Sequence, residues 1–274
     1  MSDNQTSPNS RDWLLLIGGS TYKFTLTGFY LVALVAILKN HGYSLNQLSW
    51  IHLIGGIEAA KVLFAALMER RPAGRFGRFR GWLLAATLGL SAVFGLMACT
   101  DITQNFALLL TCCVLLSAMS AVYGCAMLGL SCIVLPHRER SFGGVIQTMA
   151  ARGGKMIGGA LVLWLYQEYG QTAAAGFMLA FSLLMLLQLL YYREPESPTA
   201  QGNWTALAAR LISFWRRPET GWRWLVLLFA VAAPYAFAAA TFVPKLADLG
   251  FNPKQTGGIL AVGIPVACLI VTPL

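Results

Sequence analysis

The string Gly42-Tyr43-Ser44-Leu45-Asn46-Gln47 returns as Gly250-Phe251-Asn252-Pro253-Lys254-Gln255, each time between two long apolar stretches. The shared pattern is a glycine, an aromatic ring, a polar residue and, three positions later, a glutamine. Keeping the same offset pairs Gly55 with Gly263, so the match extends beyond one short loop. A parallel repeat on this scale implies two similar membrane-embedded halves. Leu274 falls inside the second copy, and the repeat length predicts a complete molecule of about 400 residues, about four helices longer than this chain.

The composition fits a polytopic membrane protein. Hydrophobic residues make up 57% and charged residues 11% of the chain, against roughly 25% charged in a soluble domain. The net charge of +9 sits in short connections between apolar runs, not on a polar face with aromatic platforms, so nucleic acid is excluded as a partner. The six cysteines all lie in apolar stretches with no C-x-x-C pair and no zinc-site spacing, and read as packing residues. The N-terminus lacks a secretory leader pattern, so the first apolar run is expected to stay as a spanning helix.

A bilayer core of about 30 Å takes about 20 apolar residues per helix, and about eight such segments can be counted. They run approximately Trp13–Leu38, Leu48–Leu67, Trp82–Thr100, Asn105–Leu135, Phe142–Tyr166, Ala173–Tyr192, Trp222–Val243 and Thr256–Leu274. The expected organisation is an all-α membrane protein with a six-helix bundle over residues 1–192, a linker over 193–221 and the start of a second bundle over 222–274. Arginines concentrate in alternate connections: Arg70, Arg71, Arg75, Arg78 and Arg80; then Arg138 and Arg140; then Arg193, Arg210, Arg216 and Arg217. The positive-inside rule then places these connections and the N-terminus in the cytoplasm. In the linker, Trp204, Leu207, Leu211, Phe214 and Trp215 recur at helical spacing, which reads as an amphipathic helix on the membrane surface.

Charges inside spanning segments are expensive in lipid and mark candidate sites. Lys23 lies near the middle of the first segment, Glu58 and Lys61 in the second, and Arg152 and Lys155 in the fifth. The last two pairs have i,i+3 spacing, so each pair leaves one helix face. All five are expected to converge on a cavity at mid-membrane depth. Four positive charges against one negative leave a surplus that an anionic ligand would neutralise, with Glu58 as the candidate proton carrier. The alternative assignment is structural, as ion pairs and contacts to carbonyls. His52 lies off the Glu58 face and reads as a packing residue. Gly153, Gly154, Gly158 and Gly159 form a small-xxx-small pattern suited to close helix packing. Pro234, followed by Tyr235 and Phe237, either breaks the seventh helix and turns rings toward a cavity or only kinks it. No catalytic motif, metal-ligand cluster or cofactor-binding loop is present in the sequence.

The basic connection after the second segment and the parallel repeat resemble the major facilitator superfamily. Glu69-Arg70 and Gly77-Arg78-Phe79-Arg80 are similar to that family's cytoplasmic loop signature, with a lengthened interval between the two parts. Within the superfamily, the string Ala60-Lys61-Val62-Leu63-Phe64-Ala65-Ala66-Leu67-Met68-Glu69-Arg70 resembles the muropeptide-permease-like branch. So does Arg152-Gly153-Gly154-Lys155-Met156-Ile157-Gly158-Gly159. That branch includes permeases for ferric siderophores, and the absence of the muropeptide permeases' usual Leu-Pro-Tyr string moves the reading toward the siderophore type. The resemblance implies a helical bundle of the major facilitator type, truncated here to about eight helices, in a bacterial inner membrane. It further implies proton-coupled alternating-access import of an organic chelate, with muropeptide import or small-molecule efflux as the alternatives. Lys23, Lys61, Arg152, Lys155 and Tyr235 are then substrate or gating candidates, Glu58 couples the proton, and Glu69, Arg70, Gly77 and Arg78 form the loop motif.

Overall fold

A computed structural model describes residues 8–44, 47, 50, 51, 53, 54, 56–70, 77–100, 106–136, 139–195, 209, 213, 221–224, 226–231, 233, 234 and 263. The chain divides into two compact units, the first containing the residues up to Thr199 and the second spanning Ala200–Ile264. In the second, the described residues include an apolar helical piece over Gly221–Val231 and a helical Pro234. Tyr235, His52, the returning string at Gly250–Gln255 and nearly all of the expected surface helix lie outside the described residues.

The described regular structure of the first unit is helical. Helix α1 (Ser10–Gly28) starts on a capping box in which Asn9 accepts at the first turn and Asp12 accepts from the Asn9 backbone at 2.8 Å. A π turn at Phe29–Ala33 carries it into α2 (Leu34–Asn40). A 3-10 turn at Gly56–Ala60 leads into α3 (Lys61–Arg70). Helices α4 (Arg80–Cys99), α5 (Phe106–Val134) and α6 (Arg140–Lys155) follow, and a second π turn at Met156–Leu161 joins α6 to α7 (Val162–Tyr191).

Among the described residues, four helical runs are long and apolar enough to cross a membrane: Ser10–Lys39, Arg80–Cys99, Phe106–Val134 and Arg140–Tyr191. The last has 52 residues, about 78 Å if straight and far more than a bilayer core needs. Gly170, at φ 83° and ψ −175°, breaks it, and a positive φ of this kind is cheap only for glycine. The run therefore makes two passes, in agreement with the separate fifth and sixth segments of the sequence reading. The second expected span, by contrast, is not one regular helix. Its apolar pattern continues across Gly56, where the backbone tightens into the 3-10 turn before α3 begins.

Helix α1 packs against α5, α6 and α7, while α4 lies against α5 and α7 and α3 against α5. At the centre, the fully buried Tyr22 ring meets Tyr123 edge-on at 5.3 Å and Phe181 at 5.4 Å, and its hydroxyl bonds to Ser182. Phe29 meets Phe94 in the same way at 5.4 Å. These edge-to-face pairs suit the ring quadrupoles and tie α1 and its π turn to α4, α5 and α7.

Helix α1 crosses closely over the end of α6 and the π turn that follows it, where the expected glycine packing is found at Gly154 and Gly158. A side-chain carbon added at Gly154 would lie 2.6 Å from the Thr21 carbonyl oxygen, and one at Gly158 would collide with the carbonyl of Thr25. Gly28 faces the Lys155 backbone from the other side. Just beyond this crossing, the two π turns touch each other. Gly153, the other half of the doublet, has open space around it.

Both ends of the unit are laced. At one end, the Glu194 carboxylate accepts from the backbone N–H groups of Phe79 and Arg80, at 3.0 and 2.8 Å, capping the start of α4. Arg80 in return donates to the carbonyls of Leu189 and Leu190 at 2.9 and 2.8 Å, capping the end of α7. Tyr192 donates to Asp12 at 2.9 Å and closes the circuit to α1. At the other end, Gln171 donates to the carbonyls of Met97 and Thr100 at 3.0 and 2.8 Å, and His41 bonds Tyr166 at 2.6 Å. The starts of α1 and α4 thus share one end of the bundle with the close of α7.

Candidate functional site

Three of the five membrane-embedded charges meet. Glu58 sits in the 3-10 turn and Lys61 is the first residue of α3. Residues three apart eclipse in a 3-10 turn, and Lys61 Nζ donates to Glu58 Oε2 at 2.7 Å. Lys23, from the middle of α1, reaches the same oxygen at 3.4 Å.

The other carboxylate oxygen is held by neutral groups. Tyr30 donates to Glu58 Oε1 at 2.9 Å and Ser120 at 3.1 Å. Tyr30 belongs to the first π turn, an insertion that re-aims side chains and recurs at functional sites. All four partners donate, and that is the pattern an ionised carboxylate accepts. Helix α5 also ties down the backbone on both sides of Glu58. Ser117 donates to the Ile54 carbonyl at 3.0 Å and the Cys125 thiol to the Lys61 carbonyl at 3.1 Å. Such cross-helix bonds satisfy the backbone groups that a broken membrane helix frees.

Two ammonium groups share one carboxylate, which leaves a local charge of one positive unit. The lysines border an opening of about 50 Å³ whose lining also includes Ser20, Phe24, Met127 and Gln147, whereas Glu58 is not part of that lining. The side chain of Lys61 is 28% exposed, against 13% for Lys23 and 17% for Glu58. Both lysines line the opening, Lys61 with the more exposed side chain, and the acid does not line it.

The remaining sequence candidates divide. Arg152 and Lys155 do not join the cluster: among the described residues neither side chain has a hydrogen bond or ion pair. The glycines beside them, not their charges, make the contact with α1. Equal i,i+3 spacing therefore had different outcomes in the two helices. Gly77 has φ +88°, and a side-chain carbon there would lie 2.5 Å from Glu194 Oε2, so the loop needs glycine to let the capping carboxylate in. Arg78 lies over the Phe79 ring at 5.3 Å. Glu69 and Arg70 end α3, and the positions of their side chains lie outside the described residues.

The residues the sequence reading missed are Ser20, Tyr30, Ser120 and Gln147 at the cluster, and Arg80 and Glu194 at the laced end. Hydroxyl and amide side chains are common in membrane helices, and nothing in their local spacing distinguishes these four. Among the described residues no group of three or more His, Cys, Asp or Glu is placed to hold a metal ion. Cys112 and Cys113 are buried in the core, while Cys99 and Cys132 are exposed.

An all-helical bundle with a broken second span and an ion cluster inside its apolar section defines a multi-pass membrane protein. Residues 15–274 match the model of the Major Facilitator Superfamily, and the chain belongs to that superfamily. It is also similar to the anhydromuropeptide permeases of Escherichia coli strain K12 and of Escherichia coli O157:H7. With each it shares 27% identity over 256 residues, which is 91% of this chain and 51% of the permease. The chain thus spans about half the length of the curated relatives it matches.

Proposed function

We propose that the protein is a secondary transporter of a bacterial inner membrane that imports an anionic solute of the muropeptide type, coupled to protons. The observation that carries this reading is the pair of lysines lining one opening while sharing a single carboxylate. A charge surplus inside an apolar bundle is stabilised when an anion binds, and the similarity to anhydromuropeptide permeases supplies the class of anion. Lys23 and Lys61 hold the solute and Glu58 carries the proton. The N-terminus and the arginine-rich connections lie in the cytoplasm, with residues 1–192 as the first bundle, 193–221 as the linker and 222–274 opening the second.

Import of a ferric siderophore rests on the absence of the Leu-Pro-Tyr string usual in the muropeptide permeases. The similarity to anhydromuropeptide permeases gives the muropeptide reading more support. Uptake by cells expressing the protein separates the two. We expect saturable, protonophore-sensitive uptake of labelled anhydromuropeptide that an excess of ferric siderophore does not compete away. Uptake of the siderophore with none of the muropeptide would reverse the assignment.

A further inference from the structure

Two polar side chains border the opening beside the lysines without a hydrogen bond to the protein among the described residues. Several helical threonines of the bundle use their hydroxyls on the preceding turn, as Thr21, Thr25, Thr27 and Thr87 do at 2.7–3.2 Å. Ser117 and Ser120 use theirs across helices. Ser20 does neither, although it is only 5% exposed and borders the opening. Gln147, reaching the same opening from α6, also has no side-chain hydrogen bond among the described residues. The Ser20 side chain, buried as a residue, and the half-buried Gln147 amide border the opening with their hydrogen-bonding capacity unused by the protein, so a solute that enters can pair with both.

We infer that Ser20 and Gln147 form a neutral hydrogen-bonding arm of the solute site, so that the site selects an anion bearing an amide or similar polar group beside its carboxylate. The inference rests on the anion-binding reading of Lys23 and Lys61 and narrows it. The lysines attract the charge without reading what adjoins it. Gln147 can both donate to a carbonyl and accept from an N–H, while Phe24 and Met127 supply an apolar wall next to it. A bare carboxylate would leave the arm unsatisfied, and sites built to hydrogen-bond discriminate strongly against ligands that lack the group.

Ligand-observed NMR on the protein in lipid nanodiscs tests this with two probes, N-acetylalanine and butyrate. Both carry a carboxylate, but only the first has an amide next to it. The expected result is that N-acetylalanine binds about tenfold more tightly, the effect of one or two added hydrogen bonds. Gln147→Leu and Ser20→Ala should shrink that preference severalfold while leaving butyrate binding unchanged, which also shows that the variants are folded. Lys61→Gln should weaken both probes. Equal binding of the two probes to the unaltered protein, or proportional weakening of both in Gln147→Leu, would overturn the inference while leaving the anion site standing. If neither probe binds the unaltered protein, the anion site itself falls and the arm falls with it.

Discussion

Replacing Glu58 with glutamine should abolish proton-driven accumulation of solute and spare solute exchange. Glutamine keeps an oxygen that can accept from Tyr30 and Ser120, at 2.9 and 3.1 Å in the native cluster, so the side chain stays in place. It cannot take up and release a proton, and the local charge rises from one positive unit to two. Breaking a buried ion pair from one side costs about 3–5 kcal/mol, a figure reduced here because Lys61 is 28% exposed and retains some hydration. Exchange needs no net proton movement, so it should continue and lose its dependence on pH. Parallel measurements of accumulation and exchange in proteoliposomes check this. Equal loss of both, in a protein of native stability, would remove Glu58 from coupling.

Gly158→Leu should prevent the first unit from folding. Overpacking an ordinary core position costs about 1–3 kcal/mol, because flexible side chains give way. At Gly158 the obstacle is the Thr25 backbone carbonyl, held inside α1. Relief would require moving α1 from the second π turn, which would pull Tyr30 and Lys23 away from Glu58. Gly153→Leu is the control, because that glycine has open space around it. Size-exclusion chromatography in mild detergent should give a monodisperse peak for Gly153→Leu and aggregate for Gly158→Leu. A stable Gly158→Leu protein would refute the close crossing.

The spans were largely legible because apolar composition over 20 residues is a strong signal. Trp82–Thr100 corresponds to Arg80–Cys99 and Asn105–Leu135 to Phe106–Val134, with shifts of one or two residues. The break in the second span was hidden because hydropathy ignores backbone geometry. Lys23, Glu58 and Lys61 announced themselves as charges in apolar runs, but so did Arg152 and Lys155. Which charges meet depends on helix rotation, and single-sequence periodicity does not set it. Tyr30 and Ser120 reach Glu58 only because of a π turn and a 3-10 turn. Likewise, the Glu194 carboxylate finds the start of α4 across 114 residues of chain, far beyond any local motif.

The central claim is that Lys23 and Lys61 hold an anionic solute at the shared carboxylate. Its most direct test is the binding affinity of labelled anhydromuropeptide for the protein in nanodiscs, unaltered and as Lys23→Gln/Lys61→Gln, with thermal stability recorded for both. The account predicts a loss of affinity of at least tenfold in the double variant, about 1.4 kcal/mol or more, in a protein that remains folded. Unchanged affinity in the folded double variant would contradict it.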